Sequence, residues 1–159
     1  MRHKGFTLVE LLVAIGIIGI LSSIAVVSVS NVRAKARDAK RIADVKQIQT
    51  ALESYFNDQN AYPATKRDTL GGTTAAVLCG HKGGAAAAVY DFQAAPAAGA
   101  ACDAVTYLNP VPANPKPNGK DYAYEAVGGE YILKFKLESG SGTLTAADYE
   151  ATPNGIIKK

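Results

Sequence analysis

Residues 1–21 read MRHKGFTLVELLVAIGIIGIL, and one carboxylate, Glu10, stands near the start of an otherwise apolar run. An ionised side chain in hydrocarbon costs roughly 2.5 to 3.5 kcal/mol on insertion scales. A glutamate kept there has a use. From Leu11 to Val29, nineteen residues carry no charge and no proline, and only Ser22, Ser23, Ser28, Gly16 and Gly19 interrupt them. As a helix they extend about 28 Å, close to the roughly 30 Å hydrocarbon core of a bilayer. The segment is long enough to span a membrane.

Downstream the helical pattern continues. In RIADVKQIQTALESYF the apolar residues Ile42, Val45, Ile48, Leu52, Tyr55 and Phe56 recur at intervals of three and four, the period of a helix with one buried stripe. No proline or glycine lies between Leu21 and Tyr62. One continuous helix from Phe6 to Asp58 is the economical reading, about 80 Å long, with Pro63 as its stop. Its first half is apolar all round and needs lipid or protein on every side. A helix of that length protrudes from the rest of the chain.

The chain of 159 residues therefore divides into 1–5, a short basic leader; 6–29, the apolar helix; 30–62, its amphipathic continuation; and 63–159, a C-terminal head. From Ala64 to Ala104 the Ala/Gly-rich sequence has no sustained period and reads as an irregular connecting region, with a short helix around Ala85–Tyr90. NPVPANPKPNG is a proline-punctuated loop ending in the turn pair Asn118-Gly119. Beyond it, DYAYEAV and EYILKFKLE alternate as two antiparallel strands joined across Gly128-Gly129, with Tyr131, Leu133, Phe135 and Leu137 on the buried face. GTLTAADYEATPNGI fits either a third strand or a helical turn capped by Thr145 with Asp148. The fold class is α+β, a long N-terminal helix packed on a small antiparallel sheet.

With 17 Lys+Arg against 14 Asp+Glu, a net charge of +3, the chain lacks the basic balance of a dedicated nucleic-acid binder. Cys79 and Cys102, if exported, make a disulfide candidate, with two buried free thiols as the alternative; two ligands are too few for a metal site. Nothing points to catalysis or to a cofactor. His3 belongs to the leader, His81 reads as a solvated loop residue, and Asp148 with Glu150 do not define a calcium site. Tyr122, Tyr124, Tyr131 and Phe135 read as sheet packing rather than a ligand platform.

An ordinary anchor, or a secretory signal cleaved at Ser23-Ile24-Ala25 to release a soluble binding domain starting near Val26, leaves Glu10 unexplained. KGFTLVELLVAIGIIGIL closely resembles the N-terminus of type IV pilins and the related pseudopilins of type II secretion. The resemblance is dense from Lys4 to Leu21 and implies leader cleavage at Gly5, N-methylation of the new terminus Phe6, and an assembly role for Glu10. It also implies a pilin-like spine and a single-pass precursor in the cytoplasmic membrane with its N-terminus inside. After assembly the filament is extracellular or periplasmic. The implied partners are further copies of the chain, minor pilins, a prepilin peptidase, an inner-membrane assembly platform and, before assembly, membrane lipid. Many family members carry a proline seventeen residues after the glutamate; Val27 stands there here. Between surface pilus and secretion or competence pseudopilus, the length, cysteine pair and missing calcium cluster favour the pilus.

Cleavage after Gly5 would create an α-amino group, largely protonated at neutral pH, able to pair with Glu10 of its own or a neighbouring subunit. In an apolar surround a misregistered subunit leaves a charge unpaired at a cost of several kcal/mol. Past the apolar run, Arg33, Lys35, Arg37, Lys40 and Arg41 form a basic collar with Asp38 the only acid. The positive-inside rule alone would place the head in the cytoplasm, against the leader motif and the cysteine pair. The collar reads as a solvated face near lipid head groups, ahead of pairing with neighbouring heads. DNA contact ranks last, because the charges wrap round the helix without an aromatic platform.

Overall fold

The structure, a computed structural model, describes residues 5–159 apart from 65, 74, 81–91, 95–101, 103, 104 and 119. The expected helix at Ala85–Tyr90, His81, and the Gly119 half of the expected turn lie outside the described residues. One helix, α1, runs Leu8–Gln59, 52 residues, through the position where many pilins have proline. It begins two residues later than expected because Thr7, extended at φ −83° and ψ 151°, is its N-cap.

The far end of the helix differs from the expectation. Pro63 does not stop α1; Asn60 does, in the left-handed region at φ 55° and ψ 23°, its N–H donating to Phe56 O at 2.8 Å. Asparagine tolerates that conformation better than most side chains and closes a helix as glycine would. Pro63 instead contributes its carbonyl, which accepts from the buried Tyr124 hydroxyl at 2.7 Å.

The head carries nine short strands among the described residues: β1 (Val77–Cys79), β2 (Phe92–Gln93), β3 (Thr106–Leu108), β4 (Ala123–Val127), β5 (Glu130–Lys136), β6 (Gly140–Ser141), β7 (Leu144–Thr145), β8 (Asp148–Thr152) and β9 (Gly155–Lys158). They form antiparallel sheets ordered β4-β5-β8-β9, β2-β1-β3 and β6-β7. The β4–β5 hairpin turns at Gly128 and Gly129, with φ 61° and 86°, the two positive values that a tight two-residue turn demands. GTLTAADYEATPNGI is strand, not helix: β7, β8 and β9 occupy it. The Ala/Gly-rich region is less irregular than expected, since β1 and β2 pair within it. All three β1 residues are buried, and a strand buried on both faces shows no alternation to read.

Val45, Ile48, Ala51, Leu52 and Tyr55 of α1 pack against Tyr122, Tyr124, Tyr131, Leu133, Phe135, Leu137, Tyr149 and Ala151, all buried. The tyrosines thus pack in the core. The outer edge of β4 is covered by residues 67–70, where Arg67 exchanges two backbone hydrogen bonds with Tyr124 and Leu70 N donates to Tyr122 O.

Candidate assembly surface

The N-terminal half of α1 is naked. None of the apolar window of the helix is buried within the chain, and Phe6 and Leu8 are 80% and 74% exposed. By length and composition this is one helix able to cross a membrane.

Thr7 and Glu10 close a reciprocal cap at its start. Thr7 N and Thr7 Oγ1 donate to Glu10 Oε2 at 2.8 and 2.7 Å, and Glu10 N donates back to Thr7 Oγ1 at 3.2 Å. This is the Thr-x-x-Glu capping box, which satisfies backbone donors the first turn leaves unpaired. One carboxylate oxygen is thereby used within the chain. The other, Oε1, has no hydrogen-bond partner among the described residues and stands exposed. Gly5 and Phe6 precede the helix and are exposed too.

At the opposite end of the apolar run, the basic collar divides in a way that its sequence does not announce. Arg37, partly exposed, and Arg41, buried, are both spent on the head. Arg37 grips Glu138 with Nε to Oε1 at 2.9 Å and Nη2 to Oε2 at 2.6 Å. Arg41, fully buried, pairs with Asp38 at 2.7 Å and donates to Asn114 Oδ1 at 2.7 Å, to Pro115 O at 3.0 Å and to Asn118 O. Asp38, equally buried, accepts from the backbone N–H groups of Glu138, Ser139 and Gly140 at 2.9, 2.7 and 2.8 Å. Gly140 is required there twice over: its φ is +89°, and a Cβ would strike Leu144 O and Thr145.

This cluster fastens the head to the helix where the apolar run ends. Hydrogen bonds from Arg37, ahead of those from Arg41 and Asn118, hold the Glu138 carboxyl at about 2. Burial pushes Asp38 up, but the three N–H donors and Arg41 prevail and keep it below the usual carboxylate range. Arg33, Lys35 and Lys40 remain exposed, with no ion pair among the described residues.

Cys79 and Cys102 are joined by a disulfide, Cα atoms 5.5 Å apart, closing a separation of 23 residues. Among the described residues no three His, Cys, Asp or Glu side chains converge on a point that would hold a metal ion.

Residues 1–26 match the family described as Prokaryotic N-terminal methylation motif. The chain is 38% identical over 66 residues to the type II secretion system core protein G of Pectobacterium carotovorum subsp. carotovorum, 42% of either chain. To the Aeromonas hydrophila protein of the same name it is 39% identical over 66 residues, 42% of this chain and 46% of that one. The type IV major pilin protein PilA of Myxococcus xanthus is 34% identical over 61 residues, 38% of this chain and 28% of that one. The chain thus matches less than half the length of these relatives. No solved structure matches it.

Proposed function

We propose that a chain carrying the N-terminal methylation motif at residues 1–26 is a structural subunit of a type IV pilus-like filament, cleaved after Gly5, methylated on Phe6 and assembled through its apolar helix. The observation that carries this reading is a helix surface, apolar on every side, that the chain's own head leaves uncovered. Such a surface is stable only in lipid or against other apolar helices. It serves first as membrane anchor and then as filament core, and the activity is assembly rather than turnover. Glu10 is the registration device: its unused oxygen accepts the amino group of Phe6 freed by the peptidase, from the same chain or a neighbour.

A secretion pseudopilus is the second reading, favoured by relatives named type II secretion system core protein G. The anchored precursor, the peptidase, the assembly platform and the minor pilins are common to both. The test is Glu10→Ala. The variant inserts into membranes as the parent does and yields few filaments by electron microscopy of sheared fractions; filaments in normal number would contradict the assignment.

A further inference from the structure

We infer that Arg33 and Lys35, on opposite faces of α1, with Lys40 above Arg33, each engage the phosphate groups of anionic phospholipids at the head-side surface of the membrane. This rests on the reading that residues 6–29 span a bilayer, and the experiment separates the two.

The helix rise sets the heights. Measured from Val29, Arg33 lies about 6 Å, Lys35 about 9 Å and Lys40 about 17 Å along the axis. The polar headgroup layer is about 5 to 8 Å thick on each side of the hydrocarbon. Arg33 thus emerges within the headgroup layer and Lys35 just above it. Side chains on an α-helix lean toward its N-terminus, so all three cations reach back toward the bilayer, and their aliphatic stems can lie along apolar surface.

On the Arg33 face of α1, Ala25, Val26, Val29 and Ser30 line a concavity of about 440 Å³ whose rim is Arg33 and Arg37. Among the described residues Arg33 is its free cation, since Arg37 pairs with Glu138, and Lys35 lies on the other side of the helix. An apolar floor with a cationic rim is the shape of a lipid: acyl chain below, phosphate above. The head does not supply the counter-charge. Glu138 and Asp38 are committed to Arg37 and Arg41. Arg33 and Lys35 have no carboxylate partner among the described residues.

The full chain is reconstituted in phosphatidylcholine vesicles holding a minority of phosphatidylglycerol, and lipids retained on gentle extraction are counted by native mass spectrometry. Phosphatidylglycerol is retained above its share of the bilayer. Arg33→Gln and Lys35→Gln each lower that enrichment by up to about fivefold. Lys40→Gln lowers it less and Lys46→Gln not at all. Salt near 1 M, with a screening length of about 3 Å, abolishes it.

A membrane-inserted chain without enrichment overturns the inference, as does an equal loss in Lys46→Gln. Carbodiimide cross-links from Lys35 or Lys40 to carboxylates of a second copy in the same vesicles would overturn it in favour of a protein partner. Release of the chain by alkaline carbonate would instead overturn the membrane-spanning reading, and the lipid seat with it.

Discussion

Asp38 and Arg41, one turn apart on α1, make a 2.7 Å ion pair in which neither side chain is exposed. Around it the helix, the Asn114–Asn118 loop and the Glu138–Gly140 turn share one set of hydrogen bonds. Removing one partner of a buried pair strands the other at a cost of about 3 to 5 kcal/mol, whereas a partly exposed pair is worth about 1 kcal/mol or less. Asp38→Ala therefore lowers head stability by about 3 to 5 kcal/mol, while Arg37→Gln, in a pair 21% and 12% exposed, costs about 1 kcal/mol. Urea titrations of the full chain, followed by tyrosine fluorescence, check that ordering.

Acid weakens the same junction. Glu138, held at about 2 against an ordinary value near 4.5, contributes stability fully present above that ordinary value and lost as pH falls toward 2. Asp38, also lowered, acts in the same sense. Asp44, which burial raises, acts oppositely and gains as it protonates. The expected result is a fall in midpoint below about pH 5 that is shallower in Glu138→Gln, measured by thermal unfolding across pH.

The disulfide closes a separation of 23 residues, and a loop of that size restricts the unfolded chain by about 3 kcal/mol. Cys79→Ala/Cys102→Ala lowers stability by about that amount without changing membrane insertion. Denaturation with and without reductant gives the difference, and the variant no longer responds to reductant.

Much of the spine is legible in the sequence, because the 3.6-residue period and the uncharged run survive in isolation and the β4–β5 alternation states its own pairing. The junction is not. RAKARDAKR looks like a solvated collar, and Arg41 is buried only because Asn114, Pro115, Asn118 and Glu138 arrive from about half the chain away. A signal is present even so: seven residues before Val45 and Ile48 stand Asp38 and Arg41, so the buried stripe carried back two turns lands on the latch. Asn60 is harder to see than Pro63, since a left-handed cap depends on one backbone angle that no residue pattern announces. β1 and β2 are too short, and β1 too fully buried, to show a period.

The central claim is that this chain is cut after Gly5 and used as a filament subunit. Intact mass and N-terminal sequence of the protein recovered from native membranes or sheared fibres test it most directly. The account predicts a chain beginning at Phe6 and carrying one extra methyl group. A chain beginning near Val26 would contradict it, leaving the head a secreted domain that had lost both Glu10 and most of the apolar run meant to assemble it.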